Sequence, residues 1–521
     1  MIEHRMSVRF VTSAALLWCA ITLLQWRGNA FRAEFGDNAD EPAHYVTGLM
    51  VRDYAAQGFP ARPLEFARNY YLHYPKVSLG HWPPFFYIVQ AAWTLTFSPG
   101  RASLMLLMGA ITALLAALVG EMLQGEIDWP LRYGAGAIFI SLPWIARFSR
   151  ALMAEMLVAL LVFLAVIAFG RYLDTERWQP AAWFGLACAL AILTKGSAIQ
   201  LALVPPLAVL LSRRPRLFVR FTFWMPALIV AAIAGPWYLL VPGAQHESIA
   251  RFGGVAFDHA RLVTSLEFWY QMLGWPLAAA SVLGIWLCST QKKGIWPSSL
   301  AVILGAYLSR SLIEAYEARH LLVNLPYFLL FAMAGGQFLL RWTGRKLMLA
   351  AIMAFIAFNL YQVAPKHYYG YSAVAETLLA RPDLTHSAIL VCSSAEGEGM
   401  LISEVAMREA RPGHLVLRAS KMLASSDWMG AGYHPLFRDV TGTLAWVESV
   451  PAGVVVIDEA GQATPHGKLL FEGIKAQPEW WEQLPSGSSN ILLFRLIGQE
   501  TRKIQSIRIP VSNGLYGTFS N

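Results

Sequence analysis

Charge is what this sequence has least of. Asp, Glu, Lys and Arg make up 14% of its 521 residues, where an average soluble domain carries roughly 25%. That is too little polarity to coat the three or four soluble domains such a length would otherwise suggest. Cysteine is scarce too: of Cys19, Cys188, Cys288 and Cys392, three lie inside apolar runs, which excludes a disulfide framework and leaves either redox compartment open. There is no internal repeat and no low-complexity tract, and disorder is excluded except at the extreme C-terminus. The net charge of +8 is scattered between apolar runs, so nucleic acid is not an expected partner. What fills the chain instead is apolar: 56% hydrophobic residues and a mean hydropathy of +0.45 mark an integral membrane protein.

A crossing of ~30 Å of hydrocarbon takes about 20 apolar residues. Eleven runs qualify, at about 9–27, 101–123, 132–147, 152–171, 180–196, 197–212, 217–241, 267–288, 295–311, 319–340 and 344–364. The first follows Arg5 and Arg9 but lacks a small-x-small cleavage site before Gln25-Trp26-Arg27, so it reads as an uncleaved span. Cytoplasmic loops collect Lys and Arg. The segments 1–9, 124–132, 171–179, 212–220, 289–296 and 341–346 hold fourteen of them in 50 residues, against five in the 73 residues of 28–100. The N-terminus is therefore expected inside and the loop 28–100 outside. The stretch 81–98 is apolar as well, but counting it as a span would place Arg213, Arg214 and Arg216 outside. Its Trp82, Phe85, Phe86, Tyr87 and Trp93 suit the outer interface instead.

An odd number of spans leaves residues 366–521 outside. There the pattern changes: short apolar runs at 388–392, 415–417, 453–457 and 491–496 alternate with helical periodicity such as 397–410. The expected architecture is an α-helical polytopic membrane domain over 1–365, an extracytoplasmic α/β domain over 366–498 with a largely buried sheet, and a polar tail over 499–521.

The densest polar constellation is Asp37-Asn38-Ala39-Asp40-Glu41-Pro42-Ala43-His44-Tyr45 in the first outer loop. Pro42 suits a first helical turn and Gly58 with Pro60 an end, so 42–57 is predicted as a helix whose start carries two carboxylates. Acids at a helix start also serve as caps or dipole partners, and that plainer reading stays open. Further candidates sit at the ends of spans: Arg147, Arg150 and Glu155 between the third and fourth, Lys195 between the fifth and sixth, and Arg319-His320 at the start of the tenth. Charges there face a cavity or a polar partner, or snorkel to headgroups. Snorkelling is expected for Arg147 and Arg310. A ligand is expected for Lys195, which has no adjacent charge. In the C-terminal domain Cys392, Arg418 and Asp458-Glu459 are read as solvated strand-end residues in preference to a site.

Four motifs in order carry a resemblance: Asp40-Glu41-Pro42-Ala43-His44-Tyr45, His81-Trp82-Pro83-Pro84-Phe85-Phe86-Tyr87, Leu193-Thr194-Lys195-Gly196, and Ala318-Arg319-His320-Leu321-Leu322-Val323-Asn324-Leu325-Pro326. Over about 8–340 the chain resembles the GT-C glycosyltransferases, in the branch of protein mannosyltransferases and aminoarabinose transferases. The resemblance implies inverting transfer of a sugar from a polyprenyl-phosphate donor to a protein, lipid or polysaccharide acceptor on the outer face of a membrane, a bacterial inner membrane. It implies that Asp40 is the catalytic base with Glu41 beside it, and that Lys195, Arg319 and His320 serve the donor phosphate. His44, His81, Arg150 and Glu155 are further site candidates. The chain departs from the family pattern with His320 where relatives often have Tyr, and with Glu155 where they often have Asp.

Elementary chemistry agrees. A sugar phosphoester departs as a stabilised phosphate, so the protein must supply a carboxylate for the acceptor's proton and cations for the leaving charge. A divalent metal is left open: His44, His73, His81 and Glu155 are possible ligands, but no spacing identifies one. The rival readings are a lipid-linked sugar flippase, which calls for charges at both faces, and an inactive scaffold whose outer domain binds a partner or glycan.

Overall fold

The computed structural model describes residues 8–241, 257–291, 293–312, 317–385, 387–426, 432–450, 452–498, 507–512 and 515–519. The chain is mostly helical and forms two compact units.

The first unit comprises Met1–Gly28, Gly80–Phe86 and Met105–Pro365. Across the chain, the helices Val8–Arg27, Arg101–Met122, Glu155–Thr175 and the segment Ala318–Tyr361 are long and apolar enough to cross a membrane. The pair His259–Leu273 and Trp275–Cys288 adds a fifth candidate, bent by 112°. Large apolar side chains such as Leu23, Trp183, Leu228, Trp286 and Phe358 are exposed on the helices, which fits a hydrocarbon surround. The protein is a multi-pass membrane protein.

Breaks divide several of the expected spans. The run 132–147 is cut where Leu142 adopts an extended conformation and Pro143 opens a new helix, Pro143–Phe148. The run 267–288 is divided at Gly274, whose φ of 76° ends one helix just before Trp275-Pro276 starts the next. The runs 319–340 and 344–364 stay distinct: a 3-10 turn over Ala318–Asn324 leads into the segment Leu325–Tyr361, which Gly344, with non-helical φ of 74° and ψ of 159°, breaks into two helices. Two glycines let helices meet closely. A Cβ on Gly284 would overlap the Phe331 carbonyl, and one on Gly335 the Ala280 carbonyl, so Trp275–Cys288 lies backbone to backbone on Leu325–Tyr361.

The second unit comprises Asn29–Leu79, Tyr87–Leu104 and Lys366–Asn521, so it joins first-loop segments to the C-terminal part. The predicted loop helix is Asp40–Ala56, followed by Pro63–His73. Among the described residues nine strands follow: β1 Ile389–Cys392, β2 Val416–Arg418, β3 Ala424–Ser425, β4 His434–Pro435, β5 Val454–Asp458, β6 Trp481–Leu484, β7 Ile491–Leu496, β8 Ile507–Ser512 and β9 Leu515–Phe519. The main sheet has the order β2-β1-β5-β7-β6. β1 pairs in parallel with β2 and β5, with Ile389 opposite Val416 and Val454, while β7 is antiparallel to β5 and β6. β1 and β2 are buried throughout, as expected for apolar runs covered on both faces. The helix Ala395–Arg408 realises the periodicity at 397–410; Ser394 caps it, accepting from Gly397 N–H at 3.2 Å. Beyond the sheet, β8 and β9 form an antiparallel pair within the segment read as a polar tail; its stretch 499–506 lies outside the described residues.

Candidate functional site

The acidic loop of the second unit separates its two neighbouring carboxylates. Asn38 Oδ1 accepts from the Asp40 N–H at 2.9 Å and its carbonyl from the Glu41 N–H at 3.1 Å, which starts the helix. Glu41 is fully buried. Its Oε2 accepts from Asp37 N–H at 2.9 Å, and Lys366 Nζ lies 3.1 and 3.2 Å from its two oxygens. Asp37 Oδ2 stands 3.8 Å from the same ammonium. Asp40, by contrast, is half-buried. His44, one turn along the helix from Asp40, lies on the Tyr87 hydroxyl with Nδ1 at 2.8 Å. Burial, with a contribution from the Asp40 charge, pushes the Tyr87 phenol well above its ordinary range, so it stays protonated.

Lys76 belongs to the same unit. It is buried and donates to the carbonyl of Ala395 at 3.1 Å. Burial, assisted by the Arg418 charge, pushes its ammonium down to about 7, while Glu398, Asp40 and Glu396 pull the other way. Neither Lys76 nor Lys366 stands out in the sequence: each is a lone lysine outside the motifs, and its setting comes from chain far away.

A second cluster lies in the first unit. Lys195 ends the helix Trp178–Thr194 in extended conformation before a 3-10 helix, Gly196–Leu203, realising the Leu-Thr-Lys-Gly turn. Its Nζ reaches Glu155 Oε1 at 2.6 Å, and Arg319 Nε stands 3.6 Å from that oxygen. Arg319 Nη2 also donates to Glu317 Oε1 at 2.9 Å, and its Nε stands 2.9 Å from Glu317 Oε2 in an ion pair. His320 Nδ1 accepts from Glu317 N–H at 3.1 Å, closing a capping box and leaving the proton of the neutral ring on Nε2. Glu155, only 2% exposed, thus opens its helix with two cations converging on it. Three pieces of sequence separated by up to 164 positions meet here, and both departures from the family pattern, Glu155 and His320, are among them.

Other candidates are placed differently. Arg150 Nε and Nη2 donate to the carbonyls of Ala146 and Ala364 at 3.0 and 3.1 Å, and its guanidinium fills the space a Cβ on Gly28 would need, which is a backbone-bracing arrangement. Arg310, expected to snorkel, is instead buried: Nε donates to Ser265 Oγ at 2.7 Å and the guanidinium lies 5.7 Å from the Phe268 ring. Arg147 is exposed, and His81 is half-buried ahead of the helix Phe85–Thr96. His73 Nδ1 lies 2.9 Å from the Asn69 carbonyl. In the α/β part, Arg418 pairs with Glu398 at 2.8 Å, Asp458 Oδ1 accepts from Gly461 N–H at 2.7 Å, and burial raises the Cys392 thiol out of the reactive range. Among the described residues no group of three or more His, Cys, Asp or Glu side chains is arranged to hold a metal ion.

No protein-family model matches the chain, and no curated protein sequence matches it significantly. Solved structures do. The crystal structure of ArnT from Cupriavidus metallidurans bound to undecaprenyl phosphate is similar over 94% of this chain and 99% of its own, with a TM-score of 0.65 and 13% identity. Its apo form is similar over 95% and 99%, with a TM-score of 0.64 and 12% identity. The Archaeoglobus fulgidus oligosaccharyltransferase in complex with zinc and sulfate is similar over 89% of this chain and 71% of its own, with a TM-score of 0.52 and 11% identity. ArnT, an aminoarabinose transferase, and the oligosaccharyltransferase are both GT-C glycosyltransferases. At such identities the likeness speaks for the fold.

Proposed function

We propose that this chain, a membrane protein with the GT-C fold, is a glycosyltransferase that moves a sugar from a polyprenyl-phosphate donor to an acceptor outside the membrane. The observation that carries the reading is the convergence of Lys195 and Arg319 on Glu155. Two cations held at the ends of apolar helices suit the phosphate of a lipid whose tail stays in hydrocarbon. The neutral ring of His320 adds an Nε2 donor for the same group. In the absence of donor, Glu155 supplies the counter-charge that the phosphate brings when bound.

The base for the acceptor is assigned to the acidic loop. An acceptor hydroxyl or amine attacks the anomeric carbon, the bond from that carbon to the phosphate oxygen breaks, and the polyprenyl phosphate leaves with the bonding pair. The acceptor's proton passes to Asp40, and attack opposite the leaving group inverts the anomeric centre. Glu41, committed to Lys366 and the Asp37 amide, acts by holding the loop. The proposed sidedness follows the charge count, with the N-terminus inside and residues 28–100 and 366–521 outside.

The test is to incubate purified protein with a panel of radiolabelled polyprenyl-phosphate sugars and acceptors. Free polyprenyl phosphate and labelled acceptor appearing in equal amounts supports the reading. Movement of intact donor across vesicles without its cleavage would make the protein a flippase.

A further inference from the structure

We infer that Lys366, at the start of the C-terminal part, is a positioning residue for Asp40, and that the α/β part is the half of the catalytic apparatus which sets the base. The inference rests on the proposed transferase reading, with Asp40 as base.

The geometry begins at the ammonium. Lys366 Nζ bridges both oxygens of Glu41 at 3.1 and 3.2 Å, with side-chain exposures of 1% and 0% for the pair. The same Glu41 carboxylate accepts from the Asp37 N–H, and Asp37 in turn faces the ammonium. Residues 37 and 41 are thereby drawn to one point, and Asn38 fixes the Asp40 N–H from within the turn. The backbone of Asp40 is thus held on both sides, which aims its carboxylate.

Lys366 is itself anchored. Its carbonyl accepts from Asn29 Nδ2 at 3.4 Å. A few residues on, Glu34 accepts from the N–H groups of Tyr369, Gly370 and Ser372 at 2.9, 3.0 and 3.0 Å, and from Ser372 Oγ at 3.2 Å. Two buried carboxylates of the acidic loop, Glu34 and Glu41, are therefore both satisfied by residues 366–372. A third grip comes from the helix Ala395–Arg408. At Gly399 a Cβ would stand 2.9 Å from Pro42 Cγ and 3.0 Å from Lys76 Cε, so the absence of a side chain lets this helix lie directly on the first turn after Asp40. Further along it, Glu404 pairs with Arg101.

A general base works only within a narrow geometry; a displacement of about 1 Å costs on the order of 10²-fold in rate. A residue that aims Asp40 should act on turnover and leave donor binding alone. A residue that merely completes the fold should act on stability alone. The experiment uses the full chain in lipid nanodiscs and compares wild type, Lys366→Arg, Lys366→Met and the double variant Glu41→Gln/Lys366→Met. The double variant removes both members of the buried pair, leaving neither charge stranded, and so carries the test even where Lys366→Met does not fold. Melting temperature, donor KM and kcat are measured for each.

The inference expects the double variant to melt close to wild type, to keep donor KM within about threefold, and to lose roughly 10- to 100-fold in kcat. Lys366→Arg, which keeps the cation, recovers most of the turnover. A double variant with the kcat of wild type overturns the inference, whatever its melting temperature, because the pair then does not set the base. So does a loss confined to donor KM. A wild-type protein that releases no polyprenyl phosphate from any donor overturns the transferase reading itself, and the inference falls with it.

Discussion

If Glu155 stands in for the donor phosphate, then removing its charge and removing the charge of Lys195 must act on the donor in opposite directions. Lys195 Nζ lies 2.6 Å and Arg319 Nε 3.6 Å from the same Glu155 oxygen. At an effective dielectric of about 20 these contacts carry roughly 6 and 5 kcal/mol of attraction before desolvation is subtracted. Breaking a buried pair from one side costs about 3–5 kcal/mol net. Because the Lys195 side chain is 21% exposed, screening places Glu155→Gln at the lower end, about 3 kcal/mol of stability lost in the donor-free protein. Bound phosphate returns the missing charge, so polyprenyl phosphate should raise the melting temperature of Glu155→Gln more than that of wild type and bind it at least as tightly. Lys195→Ala instead loses a charged hydrogen bond worth about 1.5–3 kcal/mol, which is roughly 10- to 100-fold in affinity. The assay is thermal unfolding in detergent over a titration of polyprenyl phosphate. If Glu155→Gln weakens binding as much as Lys195→Ala does, the carboxylate is not a competitor for the phosphate and this reasoning fails.

Lys76 gives a pH signature of its own. Its folded value of about 7 lies below the ordinary 10.5, so between these limits the unfolded chain binds more protons and the protein gains stability as pH rises; below 7 the burial cost is fully present. Lys76→Met should therefore be more stable than wild type at pH 6, with the margin shrinking by pH 9, and a margin independent of pH in thermal unfolding contradicts the assignment. For sidedness, a reporter fused after residue 380 should be active only on the outer face; cytoplasmic activity there overturns both the span parity and the interfacial placement of 81–98.

How far the sequence could be read varied with the range of the interaction. The runs at 388–392, 415–417, 453–457 and 491–496 fall on β1, β2, β5 and β7, because a strand buried on both faces must be apolar at every position. The Lys195-Gly196 turn was legible for a similar local reason: a charge and a glycine interrupt an apolar helix. Breaks inside apolar runs were harder. Gly274-Trp275-Pro276 contains both a helix stop and a helix start, yet hydropathy alone runs straight through it. Arg310 was misread because its partner, Ser265, belongs to another helix and carries no charge to advertise the pair. Lys366 was invisible as a site residue since its carboxylate lies 325 positions away. The adjacency of Asp40 and Glu41 marked the loop, but only burial tells the two acids apart.

The central claim is that Asp40 takes the acceptor's proton while a polyprenyl phosphate departs. Its most direct test is the rate of polyprenyl phosphate release by wild type and Asp40→Asn, measured side by side with donor binding. Asparagine keeps the size of the side chain and its capacity to cap a helix but cannot accept the proton. The account predicts a folded variant with normal donor affinity and a rate lower by about 10²–10⁴-fold; an Asp40→Asn protein that transfers sugar at close to the wild-type rate contradicts it.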